Sequence, residues 1–143
     1  MPNNSFFSDI YPRIENMAKY FVFIDDDEDD QLILKTTING SFKNHEFKGF
    51  LCFDRAFDFL KKNSLSSQII VFLDLNMPKV DGVEAIHLLR QDVKFKNVPI
   101  YIYSTSNNPD DINRCLIAGA NGFITKPSKI SDIKEKLENI LLK

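Results

Sequence analysis

Three segments of this 143-residue chain, "YFVFI" (20–24), "IIVFLDL" (69–75) and "PIYIYS" (99–104), are near-continuous runs of β-branched and aromatic residues. A strand with one wet face alternates apolar and polar residues. An unbroken apolar strand must be covered on both faces, as in a parallel sheet flanked by helices. "EFKGFLCF" (46–53) and "GFITK" (122–126) are weaker strand candidates. Between the strands the apolar period lengthens to that of a helix. "DDQLILKTTING" places Ile33, Leu34, Thr37 and Ile38 on one face and ends near Gly40; "DRAFDFLKK" spaces Ala56, Phe57 and Leu60. "GVEAIHLLRQD" sets Val83, Ile86 and Leu89 in a stripe with Arg90 pointing away, and "PDDINRCLIAGA" opens on Pro109 and two acids, a helix start. "SKISDIKEKLENILLK" repeats Ile130, Ile133, Leu137, Ile140 and Leu141 as an amphipathic stripe. Strand and helix alternate five times, which predicts a doubly wound α/β fold over residues 20–143. Residues 1–19 belong to no strand–helix unit and read as an arm or a short helix.

Composition narrows the function. A hydrophobic fraction of 43% with 13 Phe fits a single packed core. A net charge of −2 provides no basic footprint for nucleic acid. No apolar run nears the roughly 20 residues of a membrane helix, and the N-terminus lacks the pattern of a signal peptide. Cys52 and Cys115 form no CxxC and read as reduced thiols of a cytoplasmic protein. His45 and His87 belong to no metal-ligand motif and read as surface residues.

Open parallel sheets bind ligands beyond the carboxyl ends of their strands. Those ends carry Asp25-Asp26-Asp27, then Asp74 in "DLNMPKVDG", then Ser104-Thr105-Ser106, then Lys126-Pro127. Carboxylates gathered from two strands repel unless a proton or a cation intervenes. Oxygen ligands suit a hard divalent ion such as Mg²⁺. Asp27, Glu28, Asp29 and Asp30 read instead as helix N-terminal charge. An EF-hand reading of the same acids fails, because Asp30 stands where the turn glycine belongs and Thr36 where the bidentate glutamate belongs.

The pieces "FIDDDEDD", "VFLDLNMPKVDG", "IYIYSTS" and "GANGFITKP" resemble, in order and spacing, the receiver domain of two-component response regulators. The resemblance covers about Tyr20 to Lys143. It implies a five-stranded parallel sheet of order 2-1-3-4-5 (flavodoxin-like) with helices on both faces. It implies that Asp74 accepts a phosphoryl group from a sensor histidine kinase or a phosphotransfer protein in a Mg²⁺-dependent reaction. Asp26 and Asp74 would bind the ion directly, Asn76 through its backbone carbonyl and Asp25 through water. Ser104 and Lys126 would contact the phosphoryl group, and Ser104 and Phe123 would form the switch. Within "STS", the spacing to Lys126 favours Ser104 over Thr105 and Ser106. Thr105 stands where the family often has Ala or Gly, which should narrow access. The peptide bond before Pro127 is expected to be cis. No output domain follows the last helix, so a stand-alone receiver is expected, one that catalyses at most its own phosphorylation and dephosphorylation. Its output partner would dock on the fourth helix, fifth strand and fifth helix.

A rival from another class is a phosphohydrolase of the haloacid dehalogenase type. Its Asp-x-Asp motif fits Asp25-Asp26-Asp27 and would make Asp25 the nucleophile. Against it, Asp29 stands where Thr or Val usually follows, and the chain lacks room for a cap. A degenerate receiver that binds partners without phosphorylation is a third reading. The full set of Asp25, Asp26, Asp74, Ser104 and Lys126 speaks against it.

Overall fold

The computed structural model describes residues 20–42, 44–63 and 69–141. Strands β1 (Tyr20–Ile24), β2 (Glu46–Phe50), β3 (Ile69–Leu73), β4 (Ile100–Ser104) and β5 (Gly122–Thr125) alternate with helices. The helices are α1 (Glu28–Ser41), α2 (Phe53–Asn63), α3 (Gly82–Gln91), α4 (Pro109–Ala118) and α5 (Ile130–Leu141), with a 3₁₀ turn at Val93–Phe95. The five strands pair in parallel in the order β2-β1-β3-β4-β5. The chain crosses from β1 to β2 on one side and returns to β3 on the other, so the winding reverses between β1 and β3. Among the described residues no helix is long and apolar enough to cross a membrane.

The unbroken apolar strands do what their sequence demands. Val22, Ile24, Val71, Leu73, Ile100 and Ile102 face one core layer with Ala56 and Leu60 of α2, Ile86 and Leu89 of α3, and Cys115 of α4. Their neighbours Phe21, Phe23, Ile70, Phe72 and Tyr103 face the other layer with Leu34 and Ile38 of α1 and Ile133 and Leu137 of α5. This second layer is largely aromatic. Phe21 stacks on Phe72, Phe72 on Tyr101, and Tyr103 meets Phe23 edge-on. Four strands are one to three residues shorter than the apolar runs that announce them, while β1 fills its run. Beyond residue 73, for example, the chain turns into the β3–α3 loop although Leu75 remains buried.

Three expectations are corrected and one, for Arg90, is extended. His45 is not a surface residue: it is 7% exposed, packed against Phe21 and Phe42, with its Nδ1 buried and unpartnered. The turn after α1 folds back, His45 N–H bonding to Phe42 O, and lays the ring over the start of β1. Arg90 does leave the apolar stripe of α3, but not for solvent. Its guanidinium donates to the carbonyls of Gly119, Phe95 and Val98 and to Asn121 Oδ1, at 2.7–3.0 Å. It thereby ties the end of α3 to the turn at the end of α4, where Gly119 caps the helix at φ 121°. Ile130 is 63% exposed, because the buried stripe of α5 begins at Ile133. The Lys126–Pro127 peptide bond is trans, the isomer an X-Pro bond takes unless its surroundings impose the other. The reading of residues 1–19 lies outside the described residues.

Candidate functional site

Hydrogen bonds in the sheet bring the ends of β1, β3, β4 and β5 to one edge. Asp74 N–H bonds to Ile24 O at 2.9 Å, which sets the first residue beyond β3 against the end of β1. Asp25 N–H bonds to Phe50 O at 3.0 Å, and Lys126 N–H to Ser104 O at 2.7 Å. Asp25, Asp74, Ser104 and Lys126 are thus each mounted on the last residue of a strand or the one just beyond it, with Asp26 one residue further. Gly82 completes the mount. It opens α3 against the loop after Asp74, where a Cβ would lie 2.8 Å from Leu75 Cα and 2.9 Å from Asp74 O.

Carboxylate oxygens of Asp25, Asp26 and Asp74 lie within 4.8 Å of one another. Asp25 is wholly buried, Asp74 is 8% exposed and Asp26 faces solvent. Burial, reinforced by the charges of Asp25 and Asp26, raises the Asp74 pKa to about 6; Lys126 and the Asn76 backbone N–H pull the other way. Burial also raises the Asp25 pKa, against the Lys126 hydrogen bond that lowers it. An all-oxygen donor set with an excess of negative charge is what a hard divalent cation fits. Asn76 lies in the exposed loop two residues beyond Asp74.

Lys126 Nζ is 2.8 Å from Asp25 Oδ2 and 2.6 Å from Asp30 Oδ2, but 4.0 Å from Asp74 Oδ1. Burial alone would lower its pKa; the two carboxylate partners more than offset that and raise it. The ammonium also lies 5.6 Å from the centre of the Tyr103 ring. Ser104 is fully buried and its Oγ accepts the Ser106 N–H at 3.2 Å. Ser106 Oγ donates to Asp111 Oδ2 at 2.7 Å, and Thr105 is exposed. Of the three hydroxyls, then, that of Ser106 is committed to α4. Phe123 is half-buried against the layer formed by α2, α3 and α4 and pairs across the sheet with Ile102.

Two residues at this edge escaped the reading of the sequence. Asp30 was read as helix charge alone, yet it holds Lys126 from 96 positions away in the sequence. Gln31 donates its side-chain amide to the carbonyls of Phe23, Asp25 and Phe50, closing the carboxyl ends of β1 and β2. No local pattern announces either role. A weak signal is the length of the acidic run, longer than a helix N-terminus requires. At the head of α1, Asp27 is the N-cap and accepts from the N–H groups of Asp29 and Asp30.

Comparison with known proteins gives a consistent result. A chemotaxis protein CheY homologue of Campylobacter jejuni is 35% identical over 86 residues, covering 60% of this chain and 65% of that protein. The aligned part thus spans just under two thirds of that relative's length. The crystal structure of the phosphorylated cyanobacterial phytochrome response regulator RcpA superposes with a TM-score of 0.75 at 27% identity, covering 86% of this chain and 91% of that one. The Mn²⁺-bound form of the response regulator Rcp1 gives 0.71 at 25% identity, over 85% and 91%. A family model for the response regulator receiver domain matches residues 21–138, from the second residue of β1 to the third turn of α5, and the chain belongs to that family.

Proposed function

We propose that this protein accepts a phosphoryl group on Asp74 from a sensor histidine kinase or a phosphotransfer protein, in a Mg²⁺-dependent reaction in the cytoplasm. The observation that carries the reading is the placement of Asp74: almost buried, its oxygens beside those of Asp25 and Asp26, a lysine 4.0 Å away. Family membership favours this reading over the dehalogenase-type hydrolase, and so does the position of Asp25. Its carboxylate is fully buried and already bonded to Lys126 and to the Asp27 N–H.

A carboxylate is a weak nucleophile, but phosphoryl transfer asks mainly for positioning and charge neutralisation. An Asp74 oxygen bonds to phosphorus as the P–N bond of the donor breaks and its electron pair returns to the histidine nitrogen. Asp26, Asp74 and the Asn76 carbonyl would hold the cation, with Asp25 behind them through water. A Mg²⁺ ion held by these residues would supply neutralisation of the phosphoryl oxygens and relief of the carboxylates' mutual repulsion. Lys126 offers its ammonium to another phosphoryl oxygen. The Ser104 hydroxyl donates to the group once it is present, and that bond, absent before, biases the switch through Phe123. The output is read by a protein on the face of α4, β5 and α5, where Ile117 and Ile130 are exposed. That the similar RcpA structure is of a phosphorylated response regulator supports a phosphoryl-accepting role.

The test is labelling with acetyl phosphate and Mg²⁺, followed by mapping of the acyl phosphate. The wild type should label at Asp74, and Asp74→Asn or chelation should abolish the label. Label surviving on Asp25 in Asp74→Asn would overturn the assignment.

A further inference from the structure

An ammonium has three protons to donate. Lys126 directs it to two carboxylates, Asp25 at 2.8 Å and Asp30 at 2.6 Å, while Asp74 at 4.0 Å is beyond hydrogen-bond distance. The third proton is unused, but the two bonds at 2.6–2.8 Å hold the ammonium 4.0 Å from Asp74, so closing on a phosphoryl group there draws it off that position and strains the pair that is held less firmly. The two are not equivalent. The Asp25 side chain is fully buried, so bulk water cannot take the place of the ammonium beside it. The Asp30 side chain is 25% exposed on the first turn of α1, so water and the helix N-terminus can take over its charge.

We propose that Asp30 is a positioning residue for phosphoryl acceptance: it holds Lys126 off Asp74 in the resting protein and competes with the phosphoryl group for that ammonium. This rests on Asp74 being the phosphoacceptor. Two effects act in one direction. Each phosphorylation breaks the Lys126–Asp30 pair, and the Asp30 charge opposes the incoming anion. Asp30 therefore sets a threshold on phosphoryl occupancy, and the released pair frees the start of α1 from the β5–α5 loop.

The experiment uses the full chain with saturating Mg²⁺ and beryllofluoride as the probe, supplemented by the rate of labelling with phosphoramidate. Asp30→Asn should bind beryllofluoride more tightly by a factor of about ten, equivalent to ~1.4 kcal/mol, and label faster. Asp30→Glu, which keeps the charge, should return both values toward wild type. A purely structural role at the helix start would shift the melting point of Asp30→Asn and leave probe affinity alone. The Lys126 ammonium NMR signal gives a second measurement, on the wild type itself. It should move when beryllofluoride is added, while the Asp30 carboxyl carbon shifts toward a solvated carboxylate. Equal beryllofluoride affinity in wild type and Asp30→Asn, or a Lys126–Asp30 pair that persists in the bound wild type, overturns the role of Asp30. A wild type that fails to label at Asp74 overturns the phosphoacceptor reading, and this inference with it.

Discussion

Two buried ionisable side chains give this protein opposite responses to acid. The Asp74 pKa stands at about 6 instead of 3.8, chiefly through burial. The folded state then binds a proton that the unfolded state does not, so without metal, stability falls as pH rises from about 4 to 6 and is level above. The rise in pKa corresponds to ~3 kcal/mol at neutral pH. In EDTA, Asp74→Asn should be more stable than wild type at pH 7 by up to that amount, and the gain should vanish near pH 4. Urea unfolding at the two pH values checks it. His45 works the other way. Burial lowers its pKa, so the unfolded chain takes up the proton first, and stability is lost as pH falls through 6.5. His45→Phe, which retains a ring against Phe21 and Phe42, should flatten the stability profile between pH 6.5 and 5 without reducing stability at pH 8. What the sequence reveals at this scale follows distance along the chain. Asp25, Asp26, Asp74, Ser104 and Lys126 are visible because each sits at the end of a run that announces itself. Asp30, Gln31, His45 and Arg90 act on groups that only the folded chain brings near, and no local pattern encodes those partners.

At the scale of elements, the junction of β3 and α3 is closely packed. Gly82 N–H bonds to Leu75 O at 2.8 Å, and backbone fills the space a Cβ would need. The residue is required here for close approach, its φ being ordinary. Gly82→Ala should force the loop that carries Asp74 and Asn76 outward and cost about 1–3 kcal/mol. It should also lower phosphoryl acceptance more than a loss of stability alone explains, because the proposed metal ligands would be displaced. Melting curves with and without Mg²⁺, set beside acetyl phosphate labelling, separate the two effects. The order of elements was legible because continuous apolar runs and amphipathic stripes have different periods. The ends were less so. Leu75 is buried in a loop and Ile130 is exposed in a helix, so hydropathy overran the strand at one and mistook the stripe's first residue at the other.

For the molecule as a whole, stability should be graded across the sheet. β1 and β3 are central and almost completely buried, whereas β2 is an edge strand whose residues are exposed or half-buried. Amide hydrogen exchange should be slowest in β1 and β3, at rates set by global unfolding, and faster by orders of magnitude in β2. Similar protection in β2 and β3 would mean that something covers the β2 edge in solution. The sheet order was not dictated by hydropathy, which is compatible with several arrangements of five buried strands; it came from the resemblance of the motifs at the strand ends.

The aromatic layer has an optical consequence. The chain has no tryptophan and only four tyrosines, two of them, Tyr101 and Tyr103, on β4. Tyr103 is almost buried, and its ring lies beside the Lys126 ammonium. Near-ultraviolet emission from this protein is therefore tyrosine emission, undiluted by indole. Any displacement of the ammonium changes the electric field at one of its few emitters. The native chain thus contains an intrinsic fluorophore at the candidate site, and the state of that site can be followed in real time with no label attached.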